Sequence, residues 1–95
     1  MRFTWDLAKN ERNFTKHGVW FEAATYAFDD PSLLALDPEI ENGEYCCRAL
    51  AMLAGHLLFI AFTWEEDIES GEEMIRLISA RRATRKEGRL YHDGQ

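Results

Sequence analysis

The stretch YCCRALAMLAGHLLFIAFTW, Tyr45–Trp64, decides the fold. Two apolar runs, Tyr45–Leu53 and Leu57–Trp64, flank Gly55, and the pattern reads as two strands joined by a turn. Leu57–Trp64 is apolar on both faces, which places it centrally in its sheet. Upstream, Ser32–Leu36 is a further short strand, set off by the turn signals Asp37-Pro38 and Asn42-Gly43. Downstream, Met74–Ala80 is another, reached through acidic Glu65–Glu73 with Ser70-Gly71 as the hairpin tip. Nearer the N-terminus the period becomes helical. Asp6 stands at an N-cap position, Leu7–His17 is mostly good helix former, and Gly18 is the stop. A second helix over Phe21–Phe28 carries Phe21, Ala24 and Phe28 on one face and ends at Asp30-Pro31. Arg2–Trp5 opens the chain as a strand and Ala83–Tyr91 closes it as a helix. The order β-α-α-β-β-β-β-α with short connections predicts an α+β fold: a small antiparallel β-sheet packed by two N-terminal helices and one C-terminal helix.

The 95 residues read as a single domain, 1–95, without a Pro/Gly/Ser linker, low-complexity tract or internal repeat. Apolar residues at 46% and charged residues at 29% mark a globular chain. The longest run free of charge, Ala49–Trp64, is too short to cross a bilayer as a helix. No basic–apolar–small N-terminal pattern suggests a signal peptide, and a cytoplasmic location is expected. Cys46 and Cys47 are adjacent, so they frame neither a disulfide scaffold nor a zinc site, and both read as small strand hydrophobes in a reducing compartment. The carboxylates of Glu65–Glu73 lack the alternation and central glycine of a calcium loop. No metal and no cofactor is expected.

Charge is segregated along the chain. The net −6 divides into +2 over residues 1–18, −12 over 19–75 and +4 over 76–95. Arg76, Arg81, Arg82, Arg85, Lys86 and Arg89 crowd the last segment. Such a cluster makes a local phosphate site on an acidic body, because its near field outweighs screened distant charge.

Two blocks of sequence then fit together. One is Phe3-Thr4-Trp5-Asp6, Lys9, Asn13, Lys16-His17-Gly18-Val19, Phe21-Glu22-Ala23-Ala24 and Phe28-Asp29-Asp30-Pro31. The other is Ile75-Arg76-Leu77-Ile78-Ser79-Ala80-Arg81-Arg82-Ala83-Thr84 with Glu87 and Tyr91. Jointly they are specific, and from residue 3 to about residue 91 the chain closely resembles the BrnT family of bacterial type II toxins. The resemblance implies a RelE-like fold and a ribonuclease activity that blocks translation. It also implies a BrnA-like ribbon-helix-helix antitoxin, bound in a two-plus-two complex that represses its own promoter. RNA would be the substrate, DNA would be met only through the antitoxin, and no membrane is involved.

The residues suit that chemistry. Metal-independent RNA cleavage needs a base for the 2′-hydroxyl, cations for the phosphorane and an acid for the leaving oxygen. Arg81 is the first candidate for the cationic task and Arg76 the second, since a guanidinium offers paired donors to phosphate. Five apart on a regular strand they face opposite sides, and Arg76 also suits an ion pair with the acidic hairpin. His17 is the candidate general acid or base, although a histidine before Gly18 equally suits a helix C-terminus. Glu87 is an alternative base or an arginine partner. Lys16, Arg48, Arg82, Lys86 and Tyr91 are candidates for substrate binding; Tyr91 also suits packing of the last helix.

Aligned on the family, Cys46 falls where an arginine is usual and Ala51 where a glycine is. Arg48, two residues along the strand from Cys46, points to the same face and offers a substitute. An alternative function is therefore a catalytically decayed member that serves as an antitoxin-binding corepressor. A DNA-binding protein in its own right finds no helix-turn-helix pattern. Trp5, Trp20, Phe21, Tyr26 and Trp64 are a large aromatic set for so small a core: either all of them pack inside it, or part of the set awaits a partner chain. An acidic antitoxin segment over Arg76–Arg89 would block phosphate access.

Overall fold

The computed structural model describes residues 1–94, the side chain of Glu41 excepted; Gln95, the last residue of the expected domain, lies outside them. Strand β1 (Arg2–Thr4) leads into helix α1 (Leu7–His17), then helix α2 (Phe21–Thr25) and a 3-10 turn over Tyr26–Asp29. Four strands follow, β2 (Leu34–Glu41), β3 (Glu44–Leu53), β4 (His56–Glu66) and β5 (Glu73–Arg82), and helix α3 (Arg85–Asp93) ends the order. The fold is α+β, and β4 takes the expected central place in a sheet of order β1-β5-β4-β3-β2.

The pairings β2–β3, β3–β4 and β4–β5 are antiparallel, as short connections require, whereas β1 lies parallel to β5. The sheet is therefore mixed. Its one parallel pair joins segments some seventy residues apart, a direction no local turn signal encodes. Ala54-Gly55, with φ of 48° and 83°, forms the two-residue turn between β3 and β4. Asp37-Pro38 is not a turn: it sits inside β2, where Leu36 pairs with Arg48 and Glu39 with Cys46. One extra residue on β2 makes a bulge, and β2 is an edge strand, where a proline is tolerated. Arg48 straps this bulge. Its Nε and Nη2 donate to the Asp37 carbonyl at 3.2 and 2.7 Å, and its Nη1 lies 3.1 Å from the Glu39 carboxylate.

One sheet face carries the core. Phe21 and Ala24 of α2 and Ala27 of the 3-10 turn, all fully buried, pack on Ala51, Leu58, Ile60, Ile75, Leu77 and Ala80. Burying Phe21 alone removes enough apolar surface to contribute about 2–3 kcal/mol. α3 covers part of the other face: Gly88 on it lies against Leu57, and Gly94, just past its end, against Leu34. Asp30 ties α3 down. Its Oδ2 accepts from the Met52 N–H and the Tyr91 hydroxyl, both at 2.7 Å, and its Oδ1 accepts from Ser32 N–H.

Two buried asparagines hold α1 in place. Asn10 Oδ1 accepts from the Phe21 N–H at 2.8 Å and so serves the first turn of α2, while its Nδ2 donates to Glu22 at 2.6 Å. Asn13 faces β5 beyond the end of β1. Its Nδ2 donates to the carbonyls of Ala80 and Val19, each at 2.8 Å, and its Oδ1 accepts from Ala80 N–H at 3.1 Å. A side-chain amide thus takes the place of the missing β1 backbone.

Asn13→Ala is expected to lower unfolding free energy by about 3 kcal/mol, because both backbone groups of buried Ala80 lose their partner. Asn13→Asp should cost as much, since a carboxylate cannot donate to the two carbonyls; urea denaturation of both variants checks this. Conversely, Ala54→Asn should gain about 0.5–1 kcal/mol by relieving a left-handed alanine, read as a higher urea midpoint.

Candidate functional site

The decisive local feature lies in β5. Ser79 pairs with Ala61 and Leu77 with Phe62, so Ile78 has no partner on β4 and the strand is bulged there. A bulge adds one residue and shifts the alternation downstream of it. Arg76 pairs with Thr63 and Arg81 with Phe59, and residues 59, 61 and 63 of the unbulged β4 share one face. Arg76 and Arg81 therefore lie on the same face, opposite the α2 core, and not on the opposite faces a regular strand would give them. Their Cα atoms are about 15 Å apart along the strand.

The two arginines differ in their commitments. Arg81 is held on all sides. Its Nη1 and Nη2 donate to the two oxygens of Glu87 at 2.8 and 2.9 Å, Nη1 also donates to the Arg82 carbonyl at 3.1 Å, and Cζ stands 4.2 Å over the Phe59 ring. Glu87 is placed by the local sequence: with Thr84 it forms a capping box at the start of α3, Thr84 N–H donating to Glu87 at 2.8 Å and Glu87 N–H to the Thr84 hydroxyl at 3.2 Å. The hydrogen bonds from Arg81, reinforced by those of Thr84, outweigh burial and bring the Glu87 carboxyl down to about 2, while Glu87 raises the Arg81 pKa in return. Such a carboxylate is a weak base. Arg81 keeps two of its five N–H donors for another ligand.

Arg76 is exposed and makes no ion pair with any described residue; the acidic hairpin reaches only Arg2, through Glu72 at 3.8 Å. It borders a cleft of about 570 Å³. Lys9 of α1, Tyr45 and Cys46 of β3 and Thr63, Trp64 and Glu65 of β4 also line this cleft. The cleft exists because β3 and β4 part company: their ladder ends at Cys47–Phe62, and beyond it β3 stays with β2 and β4 with β5.

Arg76, Arg81 and Glu87 all belong to the second of the two sequence blocks, and Lys9 to the first. The model of the ribonuclease toxin BrnT of type II toxin-antitoxin systems matches residues 5–87. The chain belongs to the BrnT family. No match is found among curated proteins.

Within this BrnT-family chain the remaining candidates fall at separate places. His17 and Lys16 lie in the last turn of α1, four and three residues past Asn13, which bonds Ala80; His17 is half-buried and Lys16 exposed. Lys16 is two turns from Lys9 and so shares its stripe of α1. Arg82 and Lys86 are exposed, and Tyr91 is buried with its hydroxyl on Asp30, which raises its pKa. Arg48 does share the face of Cys46, but it is bound to the β2 bulge. Cys46 and Arg76 both line the cleft. Among the described residues no group of three or more His, Cys, Asp or Glu is placed to hold a metal ion.

No local sequence signal marks Lys9, Tyr45, Thr63, Trp64 and Glu65 as site residues; the gap that unites them is a tertiary feature.

The lowered pKa of Glu87 makes the Arg81–Glu87 clip a stabilising element above the ordinary value of 4.5 that is lost as pH falls toward about 2. Asp30 titrates in the same direction: burial works to raise its pKa, but the hydrogen bonds from Met52, Tyr91 and Ser32 prevail and lower it. Urea midpoints of the wild type should therefore decline across this acid range. Glu87→Gln should be less stable by about 1–2 kcal/mol near neutrality and should show a shallower acid decline, the remainder belonging in part to Asp30.

Proposed function

We propose that this BrnT-family chain is a metal-independent endoribonuclease toxin that cleaves RNA through the substrate's own 2′-hydroxyl and thereby inhibits translation in the cytoplasm. The observation that supports this most is the bulge at Ile78, which turns Arg76 and Arg81 to one open face. A phosphodiester laid along that face between them meets two cations of different character. Arg81, fixed by Glu87 and Phe59, presents its two remaining N–H donors in a set orientation, so little reorganisation accompanies charge build-up on the phosphorane. Arg76, unpaired and exposed, closes on the phosphate from the other end. In this reading Glu87 is a positioning residue: it keeps Arg81 charged and aimed. His17, in the last turn of α1, handles the proton. Lys16, Arg82 and Lys86 add the positive field that draws in the RNA backbone.

The neutralising partner is a BrnA-like ribbon-helix-helix antitoxin, in a two-plus-two complex that reaches DNA through the antitoxin. Phe14 and Trp20, stacked with centroids 4.1 Å apart and both exposed, offer that partner an aromatic surface, and Tyr26 is 68% exposed nearby in sequence. An acidic segment of the antitoxin laid over Arg76–Arg89 would cover the phosphate face.

One observation favours a second reading. Arg48, which the resemblance offers in place of the family arginine expected at Cys46, is bound to Asp37 and Glu39. A chain so altered would bind the antitoxin as a corepressor without cleaving RNA.

Purified chain in excess EDTA is expected to cleave single-stranded RNA, and Arg76→Ala to lower the rate about 10²–10³-fold with an unchanged circular dichroism spectrum. The antitoxin should suppress the wild-type reaction. RNA left intact by a chain that still binds its antitoxin tightly would sink the toxin reading and leave the corepressor.

A further inference from the structure

The cleft at the parting of β3 and β4 has a composition that phosphate binding does not explain. Tyr45 is 67% exposed and Trp64 49% exposed, unusual for aromatics in strands, and they stand on the two strands that border the gap. Both line it together with Cys46 and Thr63, their chain neighbours, which a paired sheet would send to the opposite face. The gap thus runs between the strands, with an aromatic ring on each side. Two cations, Lys9 and Arg76, two carboxylates, Glu44 and Glu65, and Asn42 and Ile78 make up the rest of the lining. For a phosphate backbone alone, the carboxylates would be repulsive.

We propose that this cleft is a nucleobase subsite, and that it selects guanine in single-stranded RNA. The inference rests on the ribonuclease reading and gives it a substrate preference. Exposed aromatic side chains bind unpaired bases by stacking, a contact open only to single strands. Of the four bases, guanine alone presents two adjacent acceptors, O6 and N7, beside two adjacent donors, the N1–H and the 2-amino group. Lys9 answers the first edge, as basic side chains commonly do, and a carboxylate accepts both donors of the second. Adenine and cytosine offer one amino group each against the carboxylates, and uracil offers two carbonyls and a single N–H. With the base in the gap, the adjoining phosphate comes to Arg76 and the strand continues along the face toward Arg81. The subsite therefore sets which bond is presented for cleavage.

The test uses the full chain and fluorescein-labelled 2′-O-methyl hexanucleotides, which lack the attacking hydroxyl, carrying a single central guanine, adenine or uracil. Fluorescence anisotropy should show the guanine oligonucleotide binding about tenfold more tightly than the others. Trp64→Ala and Tyr45→Ala should each weaken it about tenfold, whereas Trp64→Phe, which keeps a stacking ring, should retain most of the affinity. Glu65→Gln should bring guanine and adenine binding together. Equal binding of all three oligonucleotides, or indifference to Tyr45→Ala and Trp64→Ala, overturns the subsite. So does occupation of the cleft by an antitoxin peptide that oligonucleotide cannot displace. Cleavage of ordinary RNA, measured in parallel, separates this inference from the one beneath it. A chain that cleaves but ignores both aromatic substitutions loses only the subsite. One that binds guanine through them without cleaving loses only the ribonuclease reading.

Discussion

The amide of Asn13 holds the architecture together. β1 pairs with β5 only as far as Arg76, and past that point the outer edge of β5 would be left open in the interior beneath α1. Asn13 closes it by bonding both backbone groups of Ala80, and the same nitrogen reaches Val19 in the link between α1 and α2. One side chain thus fixes a helix, a strand edge and the start of the next helix. Asn10, three residues earlier on the same helix face, continues the arrangement by serving the first turn of α2, whose Phe21 fills the core. A buried amide is costly unless satisfied, and here every buried side-chain polar atom among the described residues has a partner.

That clamp sits next to the bulge on which the candidate site depends. Ile78 is the extra residue and Ala80 the clamped one, so β5 is pinned just after its alternation has shifted. The consequence is chemical. Arg76 and Arg81 come to one face, α3 begins immediately beyond, and its capping box delivers Glu87 to Arg81. A residue that caps a helix and orients an arginine joins stability to the presentation of charge. Because the pair is bidentate and half-covered by Phe59, Arg81 is a fixed group, whereas Arg76 is free to follow a ligand.

A second irregularity shapes the other border of the face. The bulge at Asp37-Pro38 absorbs Arg48, the one basic residue between positions 19 and 75. The edge strand gains a strapped, proline-bearing margin that discourages pairing with other chains. The cleft beyond loses a cation, so Lys9 and Arg76 stand there with Cys46, Glu44 and Glu65. Acidic groups in the same cleft moderate its positive field.

Local signals in the chain determined α1, α3, the β3–β4 hairpin, β5, the central place of β4 and the family, because caps, glycine stops and apolar periods act over a few residues. The expected helix over Phe21–Phe28 instead tightens to a 3-10 turn after Thr25, and β2 runs on through Asp37-Pro38. Asp6, Gly18 and the two-residue turn at Gly55 stand where the sequence put them. The basic C-terminal segment and the family blocks also directed attention to Arg76, Arg81 and Glu87. What the tertiary structure alone decided were the relations among these pieces. The parallel set of β1 on β5, the two bulges, the exchange of Arg48 for a structural role and the parting of β3 from β4 each arise from register between strands. Register shifts by one residue when a bulge intervenes, and with it every downstream side chain changes face. Hence the sequence names the arginines, while only the folded sheet brings them to the same side.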